Sequence, residues 1–522
     1  MRIMSTIHLK DNTWHVVGSS FDDSRQVQYG REPKKLDIRK GDSENLRSLS
    51  LSTIGELMKS EGGELLVWPN SFNEGYEELK DQYVFRITEK DGTGIDSITT
   101  GNVVGFIGKG PEKRGTNIRI HSRFSSIDKD GKGNDFFLYY MLEKVLAINT
   151  FSFTSSAGSN APQVFDFLLF FFPKLLKEAM SQGMYKKYVY HEYNDANVRG
   201  VIDINRHIRR NIPANGKIAY RTREFSYDNP VTQLIRHTIE FIRRKTFEKA
   251  VLHNDPDTEG YVQQIIQATP SFQPRQMQSV INENLRPVSH PYYTKYAALQ
   301  KLCLRILRHE KLSYGENGDK IHGILIDAAW LWEEYVAKVL AEKGSMLKHY
   351  TRKNSPYHLF DSFQPIIPDY YDNENNVVAD AKYIPLLNDQ LLAEKAAPVY
   401  YKTIMYMYRF DAKKGFLFHP VAKKKDEETG EIVAVGDEPV VVNDYTIEDR
   451  PDCHLYKIGL VVADNVTQES DDDNAEKKPK EKVDDTWRRF RDTMNIREEA
   501  FVKRVNDLIA KKNGIVEKQT AS

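Results

Sequence analysis

Residues 368–382 read Pro368-Asp369-Tyr370-Tyr371-Asp372-Asn373-Glu374-Asn375-Asn376-Val377-Val378-Ala379-Asp380-Ala381-Lys382. Ile366 to Tyr371 is apolar and aromatic, as strands are. Asp372 to Asn376 is a cluster of turn formers. Val377 to Ile384 is β-branched and aromatic again, so the stretch predicts a hairpin. Side chains alternate between faces along a strand, which puts Asp380 and Lys382 on one side and Ala381 on the other. Asp369, on the neighbouring strand, reaches that side if the register allows. Magnesium takes oxygen ligands in octahedral geometry and keeps several waters. Asp369, Asp380 and the carbonyl of Ala381 offer such oxygens. Lys382 is expected to orient, or help deprotonate, a water attacking a phosphodiester.

Two other Pro-Asp pairs do not repeat this pattern. Pro451-Asp452 is followed by Glu476-Lys477-Lys478, in a charged low-complexity run that cannot be a strand. Pro256-Asp257 has no acid-x-Lys at hairpin distance. Only the Asp369 copy lies in a strand–turn–strand context.

Composition sets the outer limits. The chain has 522 residues, enough for about three domains. Hydrophobic residues make up 40% and charged residues 28%, as in globular proteins that fold in water. Formal net charge is zero, so global charge does not announce a nucleic-acid partner. The two cysteines, Cys303 and Cys453, cannot build a disulfide framework, which fits a reducing cytoplasm. Met1 to Lys10 lacks the apolar core of a signal peptide. The apolar run Val164 to Phe172 is too short to span a bilayer, so no membrane association is expected.

Four regions follow along the chain. Residues 1–155 are strand-rich, with Glu64 to Trp68, Tyr83 to Ile87 and Val103 to Gly108 as strands and Phe136 to Leu146 as a helix. Gly108-Lys109-Gly110-Pro111 is not followed by the Gly-Lys-Ser/Thr of a phosphate loop, and no Walker A pattern occurs in the sequence. Residues 156–318 read as mainly helical and locally basic. Between Ser181 and Ala250 there are 14 Lys or Arg against 7 Asp or Glu. Arg206, Arg209 and Arg210 cluster there and are candidates to track a phosphate backbone, against a plain solvated helix face. Residues 319–465 hold the hairpin. Ile324 to Leu340 reads as a helix with Leu325, Ala328, Trp332, Val336 and Val339 on one stripe, and Glu333 and Glu334 lie beside it. Val399 to Phe410 reads as a helix, and Gly415 to Phe418 and Leu455 to Val462 as strands. Lys423 to Gly436 is a charged insertion. The order of helix, hairpin, helix and strand is an α/β pattern. Residues 466–522 begin with a charged linker and end in a helix from about Thr486 to Lys511.

These segments together resemble the McrC proteins of modification-dependent restriction systems and the related LlaJI-type subunits. Leu331-Trp332-Glu333-Glu334-Tyr335-Val336 is similar to the family's Leu-aromatic-Glu-x-aromatic-Val helix. Pro368-Asp369 with Asp380-Ala381-Lys382 is similar to its PD-(D/E)xK nuclease motif. Val198 to Asp203 with Arg206-His207, and Tyr220 to Phe225, resemble its middle region. Val104 to Ile107 leading to Ile118 to Phe124 resembles its N-terminal part. The likeness runs from about residue 100 to about residue 462.

The resemblance implies a nuclease subunit that works with an McrB-like AAA+ GTPase, inserts its N-terminal part into the GTPase ring and stimulates GTP hydrolysis. It implies Asp369, Asp380 and Lys382 as the catalytic trio and Glu333 as the helix acid. One departure stands out: Lys402 occupies the Gln position of the family's Tyr-Gln-x-x-x-Tyr helix, where it is assigned to DNA.

The expectation is therefore a multidomain α+β chain whose C-terminal part is an α/β PD-(D/E)xK nuclease domain. It is a magnesium-dependent restriction endodeoxyribonuclease of type II or IV, cytoplasmic, with DNA and an AAA+ GTPase as partners. The alternatives are a non-catalytic DNA-binding activator of such a GTPase and a stand-alone structure-specific nuclease. The complete trio argues against the first, and the long N-terminal and middle regions against the second.

Overall fold

The structure, a computed structural model, describes residues 5–17, 34–36, 38, 42–60, 64–69, 79–90, 94–110, 115–128, 133–146, 169, 171–244, 251–253, 255–312, 321–351, 357–361, 363–384, 393–425, 432–434, 439–463 and 483–511. The charged linker around residues 470–480 and most of the apolar run at 164–172 lie outside these. The chain divides into two compact units, Met1–Ser155 with Asn317–Ser522, and Ser156–Glu316. Both mix helices and strands.

In the first unit, five strands form one sheet in the order Ser5–Lys10, Thr116–His121, Val103–Lys109, Ile321–Asp327, Glu64–Trp68. The fourth strand corrects two expectations. Ile324 to Asp327 is not helical, and residues 321–327 belong to the N-terminal sheet rather than to the region of the hairpin. Ile321–Asp327 pairs antiparallel with Val103–Lys109 and parallel with Glu64–Trp68. The run Ile324-Leu325-Ile326 is branched and buried, as a central strand is. A Cβ at Gly105 would lie 2.2 Å from the carbonyl oxygen of Ile324, so the pairing needs glycine there. Asp327 ends the strand and starts the helix Ala328–Glu342. Its carboxylate accepts from the amides of Ala329 at 2.9 Å and Trp330 at 3.2 Å. A second N-terminal sheet, of four strands, packs Val16, Phe85 and Ile98 inward. The expected helix Phe136–Leu146 is present, with its apolar residues buried.

The same unit holds a six-stranded sheet: Lys348–His349, Tyr370–Asp372, Val377–Ala381, Lys414–Val421, Arg450–Val461, Val440–Ile447. Tyr370–Asp372 and Val377–Ala381 pair antiparallel, so the predicted hairpin forms. Asn376 closes its turn at φ 48°, a conformation asparagine tolerates. Val377–Ala381 then runs parallel to Lys414–Val421, which runs parallel to Arg450–Val461. Helix Ala393–Arg409 makes the crossover between the first two, as parallel strands require. Tyr406, Met407 and Phe410 of that helix pack with Val378, Leu417 and Leu455. On the other face, the indole of Trp332 donates to the carbonyl of Phe418 at 3.2 Å, and Phe418 meets Phe501 edge to face at 5.3 Å. Phe501 belongs to the C-terminal helix Val483–Ala510, which therefore covers this sheet. Buried Lys414 donates to the carbonyls of Leu508 at 2.8 Å and Ile509 at 3.0 Å, satisfying the helix's last turn.

The second unit holds more helix than strand, as expected, and adds a small sheet to it. Lys187–Asp195, Ile218–Ser226 and Val201–Ile202 form a three-stranded antiparallel sheet after helix Phe171–Met180. Tyr188, Tyr190, Arg221, Arg223 and Phe225 alternate along it and share one face. Helices Pro256–Ala268 and Tyr296–Leu312 both pack against Pro230–Ile242. Among the described residues, no helix is long and apolar enough to cross a membrane.

Candidate active site

Asp380 is the penultimate residue of its strand and points to the face covered by helix Ala393–Arg409. It is fully buried. Lys382, two residues on, pairs with Asp380 Oδ2, as alternation requires. Lys402, from the helix, lies 3.6 Å from Oδ1. The hairpin register pairs Tyr370 with Ala379, so Asp369 falls opposite the end of the strand. Its Oδ2 accepts from the amide of Ala381 at 2.7 Å. The strand end therefore gathers Asp369, Asp380, Ala381 and Lys382, with Lys402 from above. In open α/β sheets such strand ends are where ligands bind.

Charge is shared unequally between the two acids. Burial, then the negative charges of Asp380 and Glu333, pushes the Asp369 carboxyl well above the usual carboxylate range. Burial acts on Asp380 in the same sense, but Lys382 and Lys402 outweigh it and hold that carboxyl below its ordinary value. The two acids are thus pushed in opposite directions, Asp369 up by burial and like charge and Asp380 down by the two amines.

Glu333, on helix Ala328–Glu342, is near enough to this site to be felt there. Its charge acts on Asp369, and its Oε1 lies 3.0 Å from His349 Nε2. The hydroxyl of Tyr370 donates to the Glu333 carbonyl at 2.6 Å, tying the helix to the hairpin. His349 was not singled out from the sequence. Burial lowers its proton affinity, but the Glu333 hydrogen bond and the charge of Glu334 hold it above the ordinary value. Tyr406 was also missed. Its ring lies 5.4 Å from Lys402 Nζ, its hydroxyl donates to the carbonyl of Ile367 at 2.8 Å, and burial pushes that hydroxyl to about 12.

The residues fit a hard divalent cation. Both Asp380 oxygens are sealed from solvent and accept no hydrogen bond of ordinary geometry, so their partners are charges. Hard oxygen donors from one or two carboxylates suit magnesium. Among the described residues no group of three or more His, Cys, Asp or Glu side chains forms a metal cage. A third protein oxygen would thus come from backbone, as expected of Ala381.

The expected phosphate-binding arginines lie in the second unit and separate into two kinds. Arg206 is only 12% exposed. It pairs with Glu192 and donates to the carbonyls of Tyr193 at 2.8 Å and Tyr220 at 2.6 Å. It holds helix Ile204–Asn211 on the sheet. Arg209 and Arg210 are exposed. Beside them Ile204, Ile208 and Ile212 form a stripe at helical spacing, 65%, 51% and 67% exposed.

The mixed sheet thus carries two acids and a lysine together at one strand end. The model of the McrBC 5-methylcytosine restriction system component family matches residues 98–420, more than half of the chain. The chain belongs to that family. No curated protein matches it. Among solved structures, it is similar to a half-complex of Thermococcus gammatolerans McrB AAA+ hexamers with bound McrC, at 14% identity and a TM-score of 0.44, covering 94% of this chain and 100% of that one. It is also similar to a chain of the T. gammatolerans McrBC complex, at 12% identity and a TM-score of 0.29, covering 65% of this chain and 88% of that one.

Proposed function

We propose that this chain is the magnesium-dependent DNA endonuclease subunit of a restriction complex and that it acts with an McrB-like AAA+ GTPase. The observation that carries the proposal is the convergence of Asp369, Asp380 and Lys382 at one strand end, within a chain of this family. Asp369, Asp380 and the Ala381 carbonyl would hold magnesium. The bound ion supplies positive charge to the phosphoryl oxygens and lowers the pKa of water. Hydrolysis adds water across one P–O bond, so the attacking water loses a proton and the leaving oxygen gains one. Lys382, held against Asp380, positions that water by donating to its oxygen. Glu333, fixed by His349, adds negative charge near Asp369.

The division of labour is tested by mixing. With magnesium, GTP, cognate DNA and the partner, plasmid is expected to be cut, and omission of any one is expected to stop cutting. The chain alone is expected not to hydrolyse GTP, since its sequence has no Walker A loop. GTP hydrolysis by the purified single chain would falsify this assignment. Stimulated GTP hydrolysis without any cleavage would favour the non-catalytic activator instead.

The second unit supplies a surface for the partner. An unpaired apolar stripe such as Ile204, Ile208 and Ile212 marks a protein contact, while Arg209 and Arg210 suit phosphates. Ile204→Asp with Ile208→Asp is expected to weaken assembly with the GTPase and leave the salt dependence of DNA binding unchanged. Arg209→Ala with Arg210→Ala is expected to do the reverse, flattening the log–log salt slope by about one per lost contact. Sedimentation for assembly and DNA titrations at several salt concentrations separate the two. Loss of assembly in the arginine variant with an intact slope would move both residues to the partner contact.

A further inference from the structure

Asp380 is held by two amines of different origin. Lys382 comes from its own strand and pairs with Oδ2. Lys402 comes from helix Ala393–Arg409 and faces Oδ1 at 3.6 Å. A single buried carboxylate therefore has one ammonium on each oxygen. The helix aims Lys402 with care. Tyr406, one turn on, lies with its ring 5.4 Å from Nζ, and its hydroxyl is fixed on the carbonyl of Ile367. Yet the Lys402 side chain is 43% exposed, so it is also within reach of a ligand arriving from solvent. Lys382 is 18% exposed and has less freedom.

An ammonium on Oδ1 competes with any divalent ion for that oxygen, because both are cations. The Lys402 stem is long and flexible, and its head is a mobile point charge. A phosphate oxygen offers that head a second anionic partner. We propose that Lys402 is a built-in second cation of this site: it restrains Asp380 to a single divalent ion and moves onto a substrate phosphate when DNA binds. A glutamine at this position could hydrogen-bond the same oxygen but would not repel a metal. The inference rests on the nuclease reading above and assigns a charge that the trio does not supply.

The test uses the full chain and calcium, a divalent ion that occupies magnesium sites with little catalysis. Calorimetry is performed on the wild type, Lys402→Gln, Lys402→Arg and Asp380→Asn. The wild type is expected to take one calcium ion. Lys402→Gln is expected to bind it about tenfold tighter or to take a second. With calcium present, Lys402→Gln is also expected to lose about one unit of salt slope in DNA binding, one phosphate contact's worth. Lys402→Arg keeps the charge and is expected to retain wild-type calcium affinity and slope, which separates charge from misfolding. If Asp380→Asn abolishes calcium binding but Lys402→Gln changes neither calcium binding nor slope, the role of Lys402 is overturned and the metal site stands. A change in only one of the two also overturns it. If Asp380→Asn binds calcium as the wild type does, the metal site itself is wrong and the role of Lys402 falls with it.

Discussion

Asp380→Asn is expected to leave a folded chain that still assembles with its GTPase partner but cuts DNA slower by roughly three orders of magnitude or more. Asparagine keeps the volume of the buried side chain, so packing beneath helix Ala393–Arg409 is preserved. What it removes is the one charge that Lys382 and Lys402 both face. The donor set for magnesium loses the carboxylate that Lys382 and Lys402 hold below its ordinary pKa, while burial and like charge keep that of Asp369 above it. Asp369→Asn is expected to behave alike. Glu333→Gln is expected to cost far less, because Glu333 pairs with His349 rather than with the trio. Plasmid cleavage measures the effect, and circular dichroism with GTPase stimulation measures the integrity of the complex. Cleavage within tenfold of the wild type by Asp380→Asn would remove this strand end from consideration as the catalytic site.

The hairpin was legible because its signals are local. The turn cluster Asp372 to Asn376 and the alternation after Val377 settle the strand faces without help from distant chain. The register of Tyr370 with Ala379 then brings Asp369 to the strand end, which the sequence could only leave open. Helix phase was less legible. Glu333 and Glu334 are neighbours, and which one meets Asp369 depends on how helix Ala328–Glu342 docks. His349 is 16 positions from Glu333, in a two-residue strand with no pattern of its own. The strand Ile321–Asp327 was hidden for a different reason. A short apolar run fits helix or strand equally, and its partner Val103–Lys109 lies more than two hundred residues earlier. Arg206 shows the limit of charge clustering. Three arginines within five residues look alike in sequence, but only a folded sheet turns one of them onto Glu192 and two backbone carbonyls.

The C-terminal helix carries the second large effect. Glu498 is fully buried on that helix. It accepts from the Tyr335 hydroxyl at 2.6 Å and pairs with Lys144 at 2.7 Å. Tyr335 belongs to the helix that bears Glu333, and Lys144 to helix Phe136–Leu146, so one carboxylate joins three helices. Removing one partner of a buried pair costs roughly 3–5 kcal/mol, because the remaining charge stays out of water. Lys144 is 15% exposed and cannot fully recover its hydration. Domains are stable by only about 5–15 kcal/mol, so Glu498→Ala is expected to lower the melting temperature of this unit by several degrees or more. It is also expected to open the Val483–Ala510 helix to proteolysis. That helix seats Phe501 on Phe418 and takes two hydrogen bonds from Lys414, both residues lying on the strand beside Asp380. Cleavage is therefore expected to fall together with stability, unlike in Asp380→Asn, where the two part. Replacing the whole group, as Lys144→Met and Tyr335→Phe with Glu498→Leu, is expected to restore most of the lost stability, since packed apolar residues can substitute for a buried ion pair and no buried hydroxyl is left without its acceptor. If Glu498→Ala instead melts within about one degree of the wild type, this carboxylate is not what fastens the helix, and the aromatic contacts of Trp487, Phe490 and Phe501 hold it unaided.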